Sequence, residues 1–446
     1  MIGVLFISLA VLVLIGLPVS FAILLSSALA ILSLDGALPL TLIVQRIYTG
    51  IDSFPLMCIP FFVLAGEFMG AGNISQRLIN FANVFVGRIR GGLAHVNILA
   101  SMLFGGVSGS ATADVSSLGT ILIPTMNKSG FDDDFSVAVT ATSATIGIII
   151  PPSNPMIVYA TVASGVSISS MFLAGVIPGI LIGLSLMVMS YIISVKRNYQ
   201  TGERISFRQA IRYCGEGILP LMTFIIILGG ILGGIFTPTE SAVVAVWYSF
   251  FISVFVYKTV KFKDIPRLLL RSALTTASVL FLIGVSSIFG FLLAYENVPE
   301  TIANFMFSIT DNRTILLLLM FLAFLVIGMV MDLSPALIIF VPIFLPIATQ
   351  IGMTAVQFGL FIISALAIGL YTPPVGAVLF LSCSIGKISL QKISQCVSFW
   401  MFFGPQALPL PRESARICIL LRLRWTSMQS MSSRTKTVCV SQSWMR

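Results

Sequence analysis

Long stretches of this chain contain no Asp, Glu, Lys or Arg: residues 1–34, 91–113, 135–195, 217–239, 241–257, 272–295, 314–331 and 333–386. An α-helix needs about 20 apolar residues to cross a bilayer, so nearly every window is a membrane span in waiting. Windows 135–195 and 333–386 admit two or three crossings each, and each holds a proline pair able to split it. Window 1–34 exceeds one crossing and is short for two, and Gly16 and Pro18 near its middle leave the number open. Charged residues make up 9% of the chain and hydrophobic ones 57%, against roughly 25% charged in a soluble protein. That balance excludes a soluble enzyme, a nucleic-acid binder and a disordered chain. An all-α polytopic membrane protein is expected.

The net charge of +9 does not indicate a nucleic-acid partner, because of where it lies. Residues 1–392 hold 18 Lys and Arg against 15 Asp and Glu, while residues 393–446 hold seven against one. The six cysteines show no paired spacing and His95 is the single histidine, so no Cys/His metal site and no cofactor are expected. No Lys or Arg precedes Arg46. The opening apolar stretch therefore lacks the basic flank of a cleaved signal peptide and reads as a retained span.

Basic loops orient the spans. Lys196, Arg197, Arg204, Arg208 and Arg212 form one cluster and Lys258, Lys261, Lys263, Arg267 and Arg271 another, and the positive-inside rule places both in the cytoplasm. Two spans, near 217–236 and 239–257, fit between them and turn outside at Thr237-Pro238-Thr239-Glu240. Arg77, Arg88 and Arg90 place segment 74–90 inside. Glu296, Glu300 and Asp311 suit an outer 296–311 segment.

A repeat emerges from this layout. Asp114 and Pro124 are followed by Ile146-Gly147-Ile148-Ile149-Ile150-Pro151-Pro152, and Asp332 and Pro342 by Ile368-Gly369-Leu370-Tyr371-Thr372-Pro373-Pro374. Upstream, Asn73 to Phe81 matches Asn297 to Phe305 at its ends. One copy starts at the inner face and the other at the outer, which makes an inverted-topology repeat of the kind found in secondary transporters. Within each copy, two apolar arms too short to span flank a small polar turn, read as Gly105 to Asp114 in the first and Gly328 to Pro335 in the second. Each pair is expected to be a re-entrant hairpin, which is tolerated only where its backbone is buried in protein or faces water. The same Gly and Ser also suit close helix packing; recurrence at matching positions favours the hairpin.

Proline removes a backbone donor and denies the carbonyl a turn earlier its partner. The two Pro-Pro breaks should therefore free carbonyls at membrane depth. With the hydroxyls of Ser108, Ser110 and Thr372, these are hard oxygen ligands suited to a dehydrated sodium ion. Half-helix N-termini after the breaks suit an anion, which makes Ser153 and Asn154 substrate candidates, with N-capping as the competing role. Asp114 and Asp332 are expected to cap the helices that follow them.

With hairpins and breaks in place, the chain resembles the large, DctM-like membrane subunit of a tripartite ATP-independent periplasmic (TRAP) transporter over about residues 1–392. The resemblance rests on Phe54-Pro55-Leu56 through Ile59-Pro60-Phe61-Phe62-Val63-Leu64-Ala65-Gly66-Glu67, on Ser108-Gly109-Ser110-Ala111-Thr112-Ala113-Asp114, on Ile150-Pro151-Pro152-Ser153 and on Gly234-Ile235-Phe236-Thr237-Pro238-Thr239-Glu240. It implies an elevator-type fold in a bacterial inner membrane and sodium-coupled import of an organic acid (a dicarboxylate, keto acid or sugar acid). It also implies two partners, a periplasmic substrate-binding protein and a small four-helix membrane subunit. One sodium would lie among Ser108, Ser110, Gly147, Ile150 and Pro151, the second among Gly328, Gly369, Thr372 and Val375. The implied organisation is scaffold spans in 1–73, a first transport repeat in 74–195, scaffold spans with basic loops in 196–295, and a second transport repeat in 296–392.

Alternatives are a proton-coupled or stand-alone anion transporter, or a channel. A membrane-embedded enzyme is a further rival, but no nucleophile and base are visible around the lone histidine. Residues 393–446 depart from the family. An uninterrupted final span is expected there, yet Gly404, Pro405, Pro409 and Pro411 break the run and Arg412, Arg416, Arg422 and Arg424 follow. The shift in composition suggests an altered reading frame near 396, or else a basic cytoplasmic tail.

Overall fold

The computed structural model describes residues 1–34, 38–163, 165–202, 205–310, 312–373, 376–389 and 393. The atypical 393–446 segment thus lies, but for Ile393, outside the described residues. Among the described residues the chain is helical throughout, with one isolated bridge between Arg90 and Thr201 and no strand. Seven helices are long and apolar enough to cross a bilayer, and a bent pair, Asp133–Ile149 with Asn154–Val162, makes an eighth.

The opening window resolves into two helices, Ile2–Leu14 and Val19–Leu32, which pack on each other. Between them Gly16 takes φ +91, a conformation that an L side chain resists, and Pro18 precedes the second helix. Thr41–Ile51 lies on the long span Ile265–Tyr295, while Cys58–Ala71 packs against Pro238–Phe251, which in turn meets Phe207–Leu232. Helices in lipid gain little from the hydrophobic effect on meeting each other, so they rely on close approach. Gly284 supplies it under Ile47 and Ile51, and Gly50 over Ser287. The outer turn before Pro238–Phe251 is a capping box. The Thr237 backbone N–H donates to Glu240 Oε2 at 2.7 Å and the Glu240 N–H to Thr237 Oγ1 at 3.3 Å, satisfying donors that a helix start would otherwise strand.

The inverted repeat is visible residue by residue. Asn73 and Asn297, the matched positions, both adopt left-handed geometry (φ 53, ψ 31 and φ 51, ψ 33) immediately before the arm helices Ile74–Val86 and Val298–Ile309. Asparagine is among the few residues besides glycine that tolerate this region. The first hairpin runs out along Gly92–Ser108 and returns through Ala111–Asp114, a π-turn at Val115–Gly119 and Thr120–Lys128. The second runs Arg313–Val330 and Leu333–Gln350. Both tips are far tighter than the sequence suggested. The first is Gly109 and Ser110 alone and the second Met331 and Asp332, because Gly105, Gly106 and Gly328 stay inside the outgoing helices.

The broken helices follow. The first is Asp133–Ala144 and Ile146–Ile149, then Asn154–Val162; the second is Ala355–Gly369, then Ala377–Gly386. In each repeat the outgoing hairpin arm packs on the half-helix before the break. Each half-helix after a break crosses to the other repeat: Asn154–Val162 to Leu333–Gln350, and Ala377–Gly386 to Thr120–Lys128 and Asp133–Ala144. The repeats are thereby interlocked.

The first repeat ends in the span Ile168–Lys196 and is tied at its C-terminal end. Arg197 donates to Asp132 Oδ2 at 2.8 Å and to both oxygens of Asp134 at 3.0 and 3.1 Å. Tyr199 donates to Asp132 Oδ2 at 2.6 Å, and Arg90 reaches the Tyr199 carbonyl at 3.2 Å. The hydrogen bonds to Asp134 above all, and those to Tyr199 and Asp132, raise the Arg197 pKa, while burial pushes the Tyr199 phenol up to about 12. This clasp joins the base of hairpin, broken helix and closing span.

Candidate functional site

Each hairpin tip meets the break of its own repeat through bare main chain. A Cβ on Gly105 would lie 2.0 Å from Gly147 Cα; one on Gly328 would lie 2.6 Å from the Leu366 carbonyl and 3.1 Å from Gly369 Cα. Nothing larger than hydrogen fits in either place. Beyond the first pair, Gly106 lies under the Phe224 ring and next to the Pro151 carbonyl, and Gly109, at φ +58, faces the Pro152 carbonyl and the Asn154 N–H. At the second junction the Gly376 N–H donates to the Met329 carbonyl at 3.1 Å. Four of the residues singled out from sequence, Gly147, Pro151, Gly328 and Gly369, therefore sit at these two contacts.

The others are placed as follows. Ile150 is buried against Gly179. Ser110 caps the turn Ala111–Asp114, its Oγ accepting from the Ala113 N–H at 3.4 Å and lying 3.0 Å from Thr112 Oγ1. Thr372 is buried, and its hydroxyl donates at 2.6 Å to the Ile368 carbonyl, which also accepts from the Tyr371 N–H at 3.3 Å. The Ser108 side chain and Val375 lie outside the described residues.

Ser153 is fully buried and accepts from the Met156 N–H at 3.4 Å. The capping role is the one the geometry gives it. Its neighbour Asn154 is partly open and lines a cavity of about 520 Å³ with Ser110, Ser116, Ser117, Glu67 and Arg271. Arg271 is the group sequence reading missed. It was counted only as part of a cytoplasmic basic cluster, but the helix Ile265–Tyr295 carries it to the cavity beside the first hairpin tip. With Thr275 the arrangement puts one guanidinium, one carboxylate, one amide and four hydroxyl side chains around a volume suited to a small polar molecule.

The two aspartates diverge. Asp332 accepts from the Leu333 N–H at 2.8 Å and caps the returning arm, as expected. Asp114 caps nothing. Its backbone is already helical (φ −61, ψ −54), and neither carboxylate oxygen accepts a hydrogen bond.

Comparison with known proteins agrees with this architecture. The family described as "Tripartite ATP-independent periplasmic transporter, DctM component" matches residues 6–410, a stretch that runs past 392. The sialic acid TRAP transporter large permease protein SiaM of Vibrio cholerae is 40% identical over 382 residues, covering 86% of this chain and 89% of its own. The C4-dicarboxylate TRAP transporter large permease protein DctM of Rhodobacter capsulatus is 35% identical over 403 residues, covering 87% and 91%. The solved structure of the Alcanivorax borkumensis YdaH transporter shares the fold, with a TM-score of 0.56 at 13% identity over 86% of this chain and 89% of that one.

Proposed function

The chain belongs to the DctM family of tripartite ATP-independent periplasmic transporters, and we propose that as their large permease subunit it imports an organic acid on a sodium gradient by an elevator movement. Family membership makes it a multi-pass permease of binding-protein-dependent transport in a bacterial inner membrane. The finer reading is carried by one observation: both hairpin tips rest, backbone on backbone, on a proline-broken helix.

Sodium prefers hard oxygen donors. Main-chain carbonyls at the breaks, with the Ser110 hydroxyl at the first and the Thr372 hydroxyl at the second, would offer them at both junctions. Binding there depends on how closely each tip lies against its break, so ion occupancy would set the tip, and the tip borders the cavity. Asn154 and Ser110 would hydrogen-bond a substrate carboxylate, and Arg271 would attract it as the cavity opens towards the cytoplasmic basic cluster. The interlocked repeats would move as one body against the helices Cys58–Ala71, Pro238–Phe251 and Ile265–Tyr295. A periplasmic binding protein would deliver the acid, and a small membrane subunit would complete the fixed part.

Proteoliposomes test this. The chain is reconstituted with a small subunit and a binding protein of the same family, and offered labelled sialic acid, C4-dicarboxylates and a neutral sugar. Accumulation is expected for an acid, and only with both an inward sodium gradient and the binding protein. Ser110→Ala and Thr372→Ala should each raise the sodium concentration for half-maximal uptake severalfold at normal abundance. Uptake that ignores sodium and binding protein, or a neutral sugar carried equally well, would refute the reading.

A further inference from the structure

The first hairpin buries a carboxylate that the two ion junctions do not use. Asp114 is 1% exposed and, as noted, neither of its oxygens accepts a hydrogen bond. Its short turn Ala111–Asp114 is enclosed by Gly92–Ser108, Asp133–Ala144, Ile146–Ile149 and, from the other repeat, Ala377–Gly386. None of these four segments contains a Lys or Arg; the charged or titratable groups they bring are His95, Asp133, Asp134 and the thiol of Cys383. His95 is engaged with the Gly91 carbonyl at 3.1 Å, and the two aspartates stand at the first turn of their helix. Among the described residues no Lys or Arg forms an ion pair with Asp114.

What faces it instead is oxygen. Ser101, on the outgoing arm Gly92–Ser108 that packs on this turn, donates to Ser143 Oγ at 3.1 Å. Ser143 continues to Asn97 Oδ1 at 3.4 Å, and Asn97 Nδ2 donates to Thr140 Oγ1 at 2.6 Å. Ser101, Ser143, Asn97 and Thr140 are all buried, so a line of neutral hard donors leads through the protein to one acid. The chain then enters the π-turn Val115–Gly119, a local widening of the helix often associated with functional sites. A carboxylate inside a membrane is expensive unless matched, and hydroxyls alone do not supply a positive charge.

We propose that Asp114 and the hydroxyl of Ser101, backed by Ser143, bind a sodium ion at a site separate from the two hairpin–break junctions. The ion neutralises the acid and makes it a passenger of the same moving body. Asp114 is one helical turn beyond Ser110, so an ion here would also steady the returning arm under the first tip. Asp332 holds no such ion, because its carboxylate is engaged in capping. The inference rests on the sodium-coupled reading.

The test is equilibrium binding of labelled sodium to the full chain in lipid nanodiscs, with ionic strength held by choline chloride. Asp114→Asn keeps the shape of the acid and removes its charge. It should lower the number of sodium ions bound at saturation by one, and Ser101→Ala should raise the half-saturating concentration for one ion about tenfold. The double variant Ser110→Ala, Thr372→Ala should weaken binding but leave an ion that Asp114→Asn then removes. A folded Asp114→Asn that binds as many ions as the wild type overturns the proposal and leaves the junction sites standing. If Asp114→Asn does not fold, unchanged sodium affinity in Ser101→Ala overturns it as well. A wild-type chain that binds no sodium sinks both this inference and the sodium-coupled reading.

Discussion

The two hairpins press on their breaks in the same way, Gly105 on Gly147 and Gly328 on Gly369, yet their aspartates do opposite work. Asp332 is the tip itself, spending its carboxylate on the first N–H of the returning arm. Asp114 sits a turn past the tip, shut in and unmatched. The repeat thus keeps main-chain geometry while letting polar side chains part company. The first repeat is tied off by the Arg197 clasp and a closing span.

The symmetric half of this comparison breaks most severely if a methyl group is placed between the glycines. Gly105→Ala and Gly328→Ala should each destabilise the protein by roughly 1–3 kcal/mol through overpacking. Gly105→Ala should be worse, since its Cβ would meet Gly147 Cα at 2.0 Å where the other meets its nearest atom at 2.6 Å. Thermal unfolding in detergent reads the order; equal and negligible shifts would mean the backbones are not in contact.

Removing the clasp comes next. Arg197→Ala should cost about 1–2 kcal/mol, more than an isolated surface pair, because one guanidinium serves two carboxylates and a phenol, partly shielded from water. Limited proteolysis at residues 198–202 should accelerate in the variant.

The asymmetric half is probed at Asp332. Asp332→Ala should lose about 1 kcal/mol, the value of an N-cap, and Asp332→Asn should recover most of it, with sodium binding unchanged in both. A loss of bound sodium on Asp332→Asn would erase the distinction between the two acids.

The smallest effect is alkaline. Tyr199 has its pKa raised from 10 to about 12 by burial, so the folded state holds its proton longer than the unfolded chain. Stability from this group is fully present below pH 10 and is lost as pH rises towards 12. Tyr199→Phe should flatten that part of the stability profile, and an unchanged profile would argue against a buried phenol.

Much of this was readable in the sequence, for stated reasons. Proline pairs and matched glycines report backbone geometry directly, so the breaks, the hairpins and the repeat followed from residue order. The tips were overestimated because glycine has two uses: Gly105 and Gly106 looked like turn formers but are contact points inside a helix. The expected cap at Asp114 failed because a capping residue must leave helical φ and ψ, and this one does not. Arg271 escaped notice because its role depends on which helix comes to stand beside the first tip, a long-range arrangement that local pattern does not encode.

A contact made solely of main chain leaves nothing to vary by point substitution except its removal. The cavity beside it is lined the other way, by the interchangeable side groups of Glu67, Asn154 and Arg271. On the function proposed above, substitutions in the cavity wall would change what the permease carries and leave the two glycine contacts as they are.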